Sequence, residues 1–120
     1  MSSKQPEVRL VTDPLLKKLN ALAAEGHGVK VRKRHGGAYG TSGEPDIEGC
    51  IDGVCIQIEC KVPGNKPTPL QLQRIAEWAK AGALAFWTDD ADKAMTAVRG
   101  RLEQEKARRL IVHEMFKKKA

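Results

Sequence analysis

Ser42-Gly43-Glu44-Pro45-Asp46-Ile47-Glu48-Gly49-Cys50-Ile51 and Val54-Cys55-Ile56-Gln57-Ile58-Glu59-Cys60-Lys61 are joined by Asp52-Gly53. Two apolar-rich runs around an Asp-Gly pair are the strongest short-range sign of a hairpin with a two-residue turn. A turn that short fixes the register. Ile51 opposes Val54, Cys50 opposes Cys55, Gly49 opposes Ile56, Glu48 opposes Gln57, Ile47 opposes Ile58, and Asp46 opposes Glu59. Side chains alternate between the two faces of a strand, so Asp46, Glu48, Gln57, Glu59 and Lys61 share one side. Carboxylates directly opposed, with Cβ atoms about 4.5–5.5 Å apart, destabilise a sheet. A cation is therefore expected between Asp46 and Glu59, either Lys61 or a divalent metal. Mg²⁺ is usually held by one or two carboxylates and completes its shell with water and substrate phosphate.

On the N-terminal side of the hairpin, His35 to Gly43 is too rich in glycine for a regular element. It reads as a loop, and the lack of a following Lys-Ser/Thr excludes a nucleotide-binding P-loop. Val29-Lys30-Val31-Arg32 alternates as a half-buried strand with a basic outer face. Asp13-Pro14 reads as the start of a helix, with Asp13 as N-cap and Pro14 in the first turn. Leu15, Leu19 and Leu22 form its buried stripe and Gly26 ends it. Residues 1–12 carry no clear period and read as an arm.

On the C-terminal side, residues 62–67 form a loop. Thr68-Pro69-Leu70-Gln71 then reads as a capping box. Leu72, Ile75, Ala76 and Ala79 are the expected buried face of a helix that stops at Gly82. Ala83 to Trp87 is a continuous apolar run, expected to be a strand buried on both sides and parallel to the second hairpin strand. Thr88-Asp89-Asp90 caps another helix, with Ala91, Met95, Val98 and Leu102 on one face. Residues 103–120 extend it as a charged, basic segment that carries Leu110, Ile111, Val112, Met115 and Phe116, to pack back on the domain or meet a second subunit.

At 120 residues the chain is one domain with room for a real core. Apolar residues at 41% and charged residues at 30% mark an ordinary globular chain rather than a disordered one. No apolar run is long enough to cross a bilayer and the start lacks a signal-peptide pattern, so the expected setting is intracellular. The net charge of +6 is concentrated in clusters around residues 30–34, 106–109 and 117–119, which favours a polyanionic partner such as nucleic acid. Lys30, Arg32, Lys33, Arg34 and Lys66 are the candidate phosphate contacts. Three cysteines, an odd number without paired Cys-x-x-Cys spacing, indicate neither a disulfide framework nor a zinc site.

The order helix, strand, acidic hairpin, crossover helix, strand, with Pro45-Asp46 followed by Glu59-Cys60-Lys61, resembles the PD-(D/E)xK nuclease superfamily. Ser42-Gly43-Glu44-Pro45-Asp46-Ile47 and Thr68-Pro69-Leu70-Gln71 are similar, more narrowly, to the virus-type replication-repair nuclease (VRR-NUC) family, over roughly residues 13–88. The resemblance implies an α/β, restriction-endonuclease-like core, a small mixed β-sheet flanked by α-helices, over residues 13–102. It implies that Asp46 and Glu59, with the Cys60 backbone carbonyl, bind Mg²⁺ or Mn²⁺, and that Lys61 positions the attacking water and stabilises developing charge. Gln71 is either a helix cap or an active-site contact. Family members place an acid on the first helix, where Asp13 is the nearest match, though its cap reading suffices; Glu7 is the other candidate.

The function implied is metal-dependent DNA endonuclease activity, structure-selective in the manner of a Holliday-junction resolvase and acting as a homodimer on branched DNA, inside a host cell if the protein is viral. The alternative is a non-catalytic nucleic-acid-binding module that keeps the fold for its basic surface.

Overall fold

The structure, a computed structural model, describes residues 5–35 and 42–117; the centre of the glycine-rich loop lies outside them. Four strands build one sheet in the order β1 (Val29–Lys33), β2 (Ile47–Ile51), β3 (Val54–Cys60) and β4 (Leu84–Thr88). β1, β2 and β3 run antiparallel in turn, and β4 runs parallel to β3. Three helices flank the mixed sheet, which makes an α/β fold compatible with a restriction-endonuclease-like core.

The hairpin register is the one that the Asp-Gly turn dictates, from Ile51 opposite Val54 to Ile47 opposite Ile58. Asp52 and Gly53 both take positive φ, 50° and 83°, as a hairpin turn with the twist of its strands requires. Within β2, Gly49 has φ of 150°, and a Cβ there would come within 2.0 Å of the Lys30 carbonyl oxygen. Only glycine lets β1 approach β2 so closely.

One face of the sheet carries Ile47, Ile51, Val54, Ile56, Ile58 and Cys60, which pack with Leu15, Leu19 and Leu22 and with Ala94, Met95, Val98 and Leu102 of α4 (Ala91–Lys117). The opposite face is polar and lies under α3 (Pro69–Lys80). That division of faces decides where chemistry can occur.

The first helix differs from expectation at its start. Helix runs without a break through α1 (Gln5–Glu7), a π-helical turn (Val8–Thr12), α2 (Asp13–Ala21) and a 3₁₀ turn (Leu22–Glu25), ending at Gly26 with φ of 99°. Residues 5–12 are thus helical rather than a loose arm, and Val11 and Thr12 are buried. Asp13 is not an N-cap: the preceding Thr12 is itself helical and Asp13 bonds back to the Val8 carbonyl. The reason is Pro14. A proline inside a helix clashes with the carbonyl four residues back, and the wider π turn just before it absorbs that conflict.

Two further expectations are corrected. The face of α3 turned to the sheet is Gln71, Arg74, Ile75 and Trp78, while Leu72, Ala76 and Ala79 are exposed. Polar partners on the sheet, not apolar ones, select that face. Strand β4 is not buried on both sides, because it is the sheet edge; Leu84, Ala85 and Phe86 are half-buried and Trp87 is exposed.

Candidate active site

Asp46 immediately precedes β2, and Glu59 and Cys60 close β3. The backbone at Asp46 is pinned by Arg34, whose N–H donates to the Asp46 carbonyl at 2.7 Å. The Asp46 carboxylate accepts the Cys60 N–H at 2.9 Å, so its side chain reaches across the hairpin to the end of the neighbouring strand. Glu59 is 2% exposed, under the start of α3. Its Oε1 accepts from Gln71 Nε2 at 3.0 Å and lies 3.8 Å from Lys61 Nζ. The Lys61 backbone N–H donates to the Thr88 carbonyl at 2.9 Å, so the parallel β3–β4 pairing continues to the residue that carries the ammonium.

The cation expected near the two acids is therefore present in Lys61, but its second partner is Glu7 rather than Asp46. Glu7 Oε1 lies 3.9 Å from Lys61 Nζ, with both side chains only 12% exposed. Asp13 is elsewhere, exposed and paired with Lys33 at 3.0 Å. The acid that the first helix sends to this cluster is thus Glu7, and the helical arm that carries it was not foreseen.

Cys60 records how much negative charge gathers here. Burial pushes its thiol up to about 12, opposed by a hydrogen bond with Thr12, while the carboxylates of Asp46, Glu59 and Glu7 raise it further. It is a fully buried core residue. Gln71 is a helix cap and also reaches Glu59. Its Oε1 accepts the Thr68 N–H at 2.9 Å while Thr68 Oγ1 accepts the Gln71 N–H at 3.2 Å, completing the capping box. The amide nitrogen left over is the one that holds Glu59.

Beside this cluster lies a second network that sequence reasoning missed. Arg34 donates to Glu44 at 2.8 Å, to Glu48 at 2.9 Å and to Gln57 at 2.6 Å, and its guanidinium sits 5.6 Å from the centre of the Trp78 ring. Trp78 Nε1 also donates to Glu44, at 2.9 Å. Burial alone would raise the Glu48 carboxyl, but hydrogen bonds from Arg34 and Arg32 outweigh it and hold the group below its ordinary value. Glu44, two residues before Asp46, thereby ties the approach to the site onto α3. The period-two spacing of Glu44, Asp46 and Glu48 was the available signal.

This network removes Arg34 from the candidate phosphate contacts, since its side chain is 18% exposed and committed to three partners. Lys30 and Arg32 lie exposed on one face of β1, Arg32 paired with Glu48; Lys33 is exposed on the other face, paired with Asp13, and Lys66 is exposed in the loop before α3.

A metal fits the donor set only in a restricted way. Among the described residues, no three His, Cys, Asp or Glu side chains converge to form a cage by themselves. Asp46 and Glu59 offer two hard carboxylates, which suits an ion that draws its remaining ligands from backbone, water and phosphate.

Compared with known proteins, the chain is similar to "Putative nuclease p44" of Acyrthosiphon pisum secondary endosymbiont phage 1, at 39% identity over 69 residues, 52% of this chain and 74% of that protein. The chain belongs to this nuclease's family. No protein-family model matches the chain, and no solved structure matches it. The acids, Lys61 and Gln71 described above are thus set in a member of a nuclease family whose helices include none long and apolar enough to cross a membrane, among the described residues.

Proposed function

We propose that the chain is a metal-dependent DNA endonuclease of the VRR-NUC type, hydrolysing phosphodiester bonds inside the cell and selective for branched DNA as a homodimer. The observation that carries this reading is the meeting of Asp46, Glu59, Lys61, Gln71 and Glu7 at one end of the sheet. Family membership with a phage nuclease supports the class of activity. The basic outer strand supports a polyanionic substrate.

Asp46 and Glu59, with the Cys60 carbonyl, would hold Mg²⁺ or Mn²⁺. Such an ion lowers the pKa of bound water and neutralises charge on the scissile phosphate. The chain's own residues do the rest. Lys61 directs its ammonium at the attacking water and at the negative charge that develops on phosphorus-bound oxygen. Glu7 and Glu59 hold that ammonium from two sides, and Gln71 fixes the Glu59 rotamer by a hydrogen bond to Oε1. Lys30, Arg32, Lys33 and Lys66 track the phosphate backbone.

The test is cleavage of labelled single strands, duplexes, flaps and four-way junctions in Mg²⁺, Mn²⁺ or EDTA, by wild type, Lys61→Ala and Asp46→Asn in parallel. The expected outcome is cutting by wild type with metal, strongest on branched DNA, and none by the variants. Salt-sensitive binding without cutting in any metal would identify a non-catalytic module instead. Equal cutting by wild type and variants would overturn the site.

A further inference from the structure

Cys50 and Cys55 are direct partners in the antiparallel ladder of β2 and β3. Directly opposed residues have Cα atoms about 4.5–5.5 Å apart, depending on their place in the ladder. A disulfide needs a Cα separation of about 4.4–6.8 Å. Both thiols are free, Cys50 is exposed and Cys55 half-buried, so neither is sealed in the core as Cys60 is. They share a cavity of about 460 Å³ with Lys30, Arg32, Glu48, Gly49, Gln57 and Trp78. Lys30 on that cavity, with Arg32 paired to Glu48 at 3.0 Å beside it, suits an anionic visitor.

We propose that Cys50 and Cys55 form a reversible dithiol–disulfide site that reacts with anionic low-molecular-weight disulfides such as glutathione disulfide. This site is distinct from the Asp46–Lys61 cluster and does not depend on nuclease activity. Cys50, the exposed thiol, attacks as thiolate; its sulfur bonds to one sulfur of the small disulfide, whose S–S bond breaks and releases one thiol. Cys55 then attacks Cys50 Sγ, the mixed disulfide breaks, and a second thiol leaves. Two protein thiols lose two hydrogens and two electrons while one small disulfide becomes two thiols. Cys55 is held ready by Gln57, whose Nε2 lies 3.7 Å from its sulfur. Bridging draws that sulfur toward Cys50, and Gln57 at its other end holds Arg34 at 2.6 Å. The redox state is therefore felt in the network that anchors Glu44.

The full chain is incubated with glutathione disulfide, then unfolded and alkylated, and the adducts are mapped by mass spectrometry with and without dithiothreitol. The expected result is a loss of two hydrogens and alkylation of Cys60 alone among the three cysteines, with all three alkylated after reduction. Cys55→Ser is expected to retain glutathione on Cys50, since nothing remains to displace it. Three alkylated cysteines after oxidation, a stable glutathione adduct on the wild type, a bridge that includes Cys60, or bridges between chains would each overturn the site. Failure of Cys55→Ser to take glutathione on Cys50 would overturn the assignment of Cys50 as the attacking thiol.

Discussion

Glu7 and Asp13 lie on one unbroken helical path, yet one faces Lys61 from a nearly buried position and the other pairs with Lys33 in solvent. If Glu7 holds the Lys61 ammonium for catalysis, Glu7→Gln slows single-turnover cleavage by roughly tenfold to a hundredfold, the scale of a lost electrostatic contact at a reacting centre. Asp13→Asn leaves the rate within about twofold, because an exposed ion pair contributes little. Equal effects from both substitutions would show that neither acid acts through Lys61. Asp52, at the hairpin tip, permits a separate test of stability. A hydrogen bond from His27 at 2.6 Å, with a second from the Gly28 N–H, holds its carboxyl below its ordinary value of 3.8. A group whose folded value is lowered stabilises the fold above its unfolded value, and that stability is lost as pH falls through the folded value. Asp52→Asn keeps the turn, since Asn tolerates positive φ. The variant should therefore melt below wild type at about pH 6, and the gap should narrow as pH falls below the ordinary carboxyl value of 3.8 and close once the lowered folded value is passed. A gap that persists unchanged into acid would exclude the Asp52 charge as its source.

Among the elements, α3 places in one residue, Gln71, both half of a capping box and a hydrogen bond to Glu59, and the two can be separated. Thr68→Ala removes one half of the capping box and should cost about 1 kcal/mol of stability, with cleavage kept within a few-fold. Gln71→Ala removes the other half together with the bond to Glu59, and should slow cleavage by more than about tenfold for a similar loss of stability. Chemical denaturation and single-turnover rates on both variants give the comparison; parallel losses of rate would reduce Gln71 to a cap. The same helix shows why only part of the molecule was legible in its sequence. The hairpin register, and with it the shared face of Asp46, Glu59 and Lys61, followed from Asp52-Gly53 because a two-residue turn leaves no freedom. The face of α3 did not follow, because Gln71, Arg74 and Trp78 pack against Glu59 and Glu44, and apolar periodicity cannot register polar partners. Pro14 hid Glu7 by imitating a helix start, when a π turn let the helix run through it. A continuous apolar run in β4 is the same pattern at a sheet edge as at a sheet centre, so its half-exposure depended on which strand lay beyond it, and none does among the described residues.

At the scale of the whole molecule, α4 departs from the rest of the body. Its 27 residues span about 40 Å at about 1.5 Å per residue, against a molecule 62 Å long and under 30 Å in its other dimensions. Ala94, Met95, Val98 and Leu102 fix its first half in the core, and Arg109 makes a last contact with the Asp52 carbonyl at the hairpin tip. Beyond that point Leu110, Ile111, Met115 and Phe116 are all more than half exposed. A short helical end whose apolar side chains stay largely exposed is marginal by propensity alone, and apolar side chains of this size are seldom grouped on a monomer without purpose. If the chain acts as the proposed homodimer, these turns are the strongest candidates for the contact between copies. Ending the chain after Arg109 should then leave the body folded, with a melting temperature within a few degrees of wild type, because the lost residues contribute nothing to the core. Light scattering should register a drop from dimer to monomer, and cutting of four-way junctions should fall from paired nicks to single ones. A truncated chain that remains dimeric would move the contact elsewhere, to the exposed Leu72 and Trp87 beside the β4 edge. A truncated chain that unfolds would mean that the last turns stabilise the body directly, which their exposure argues against.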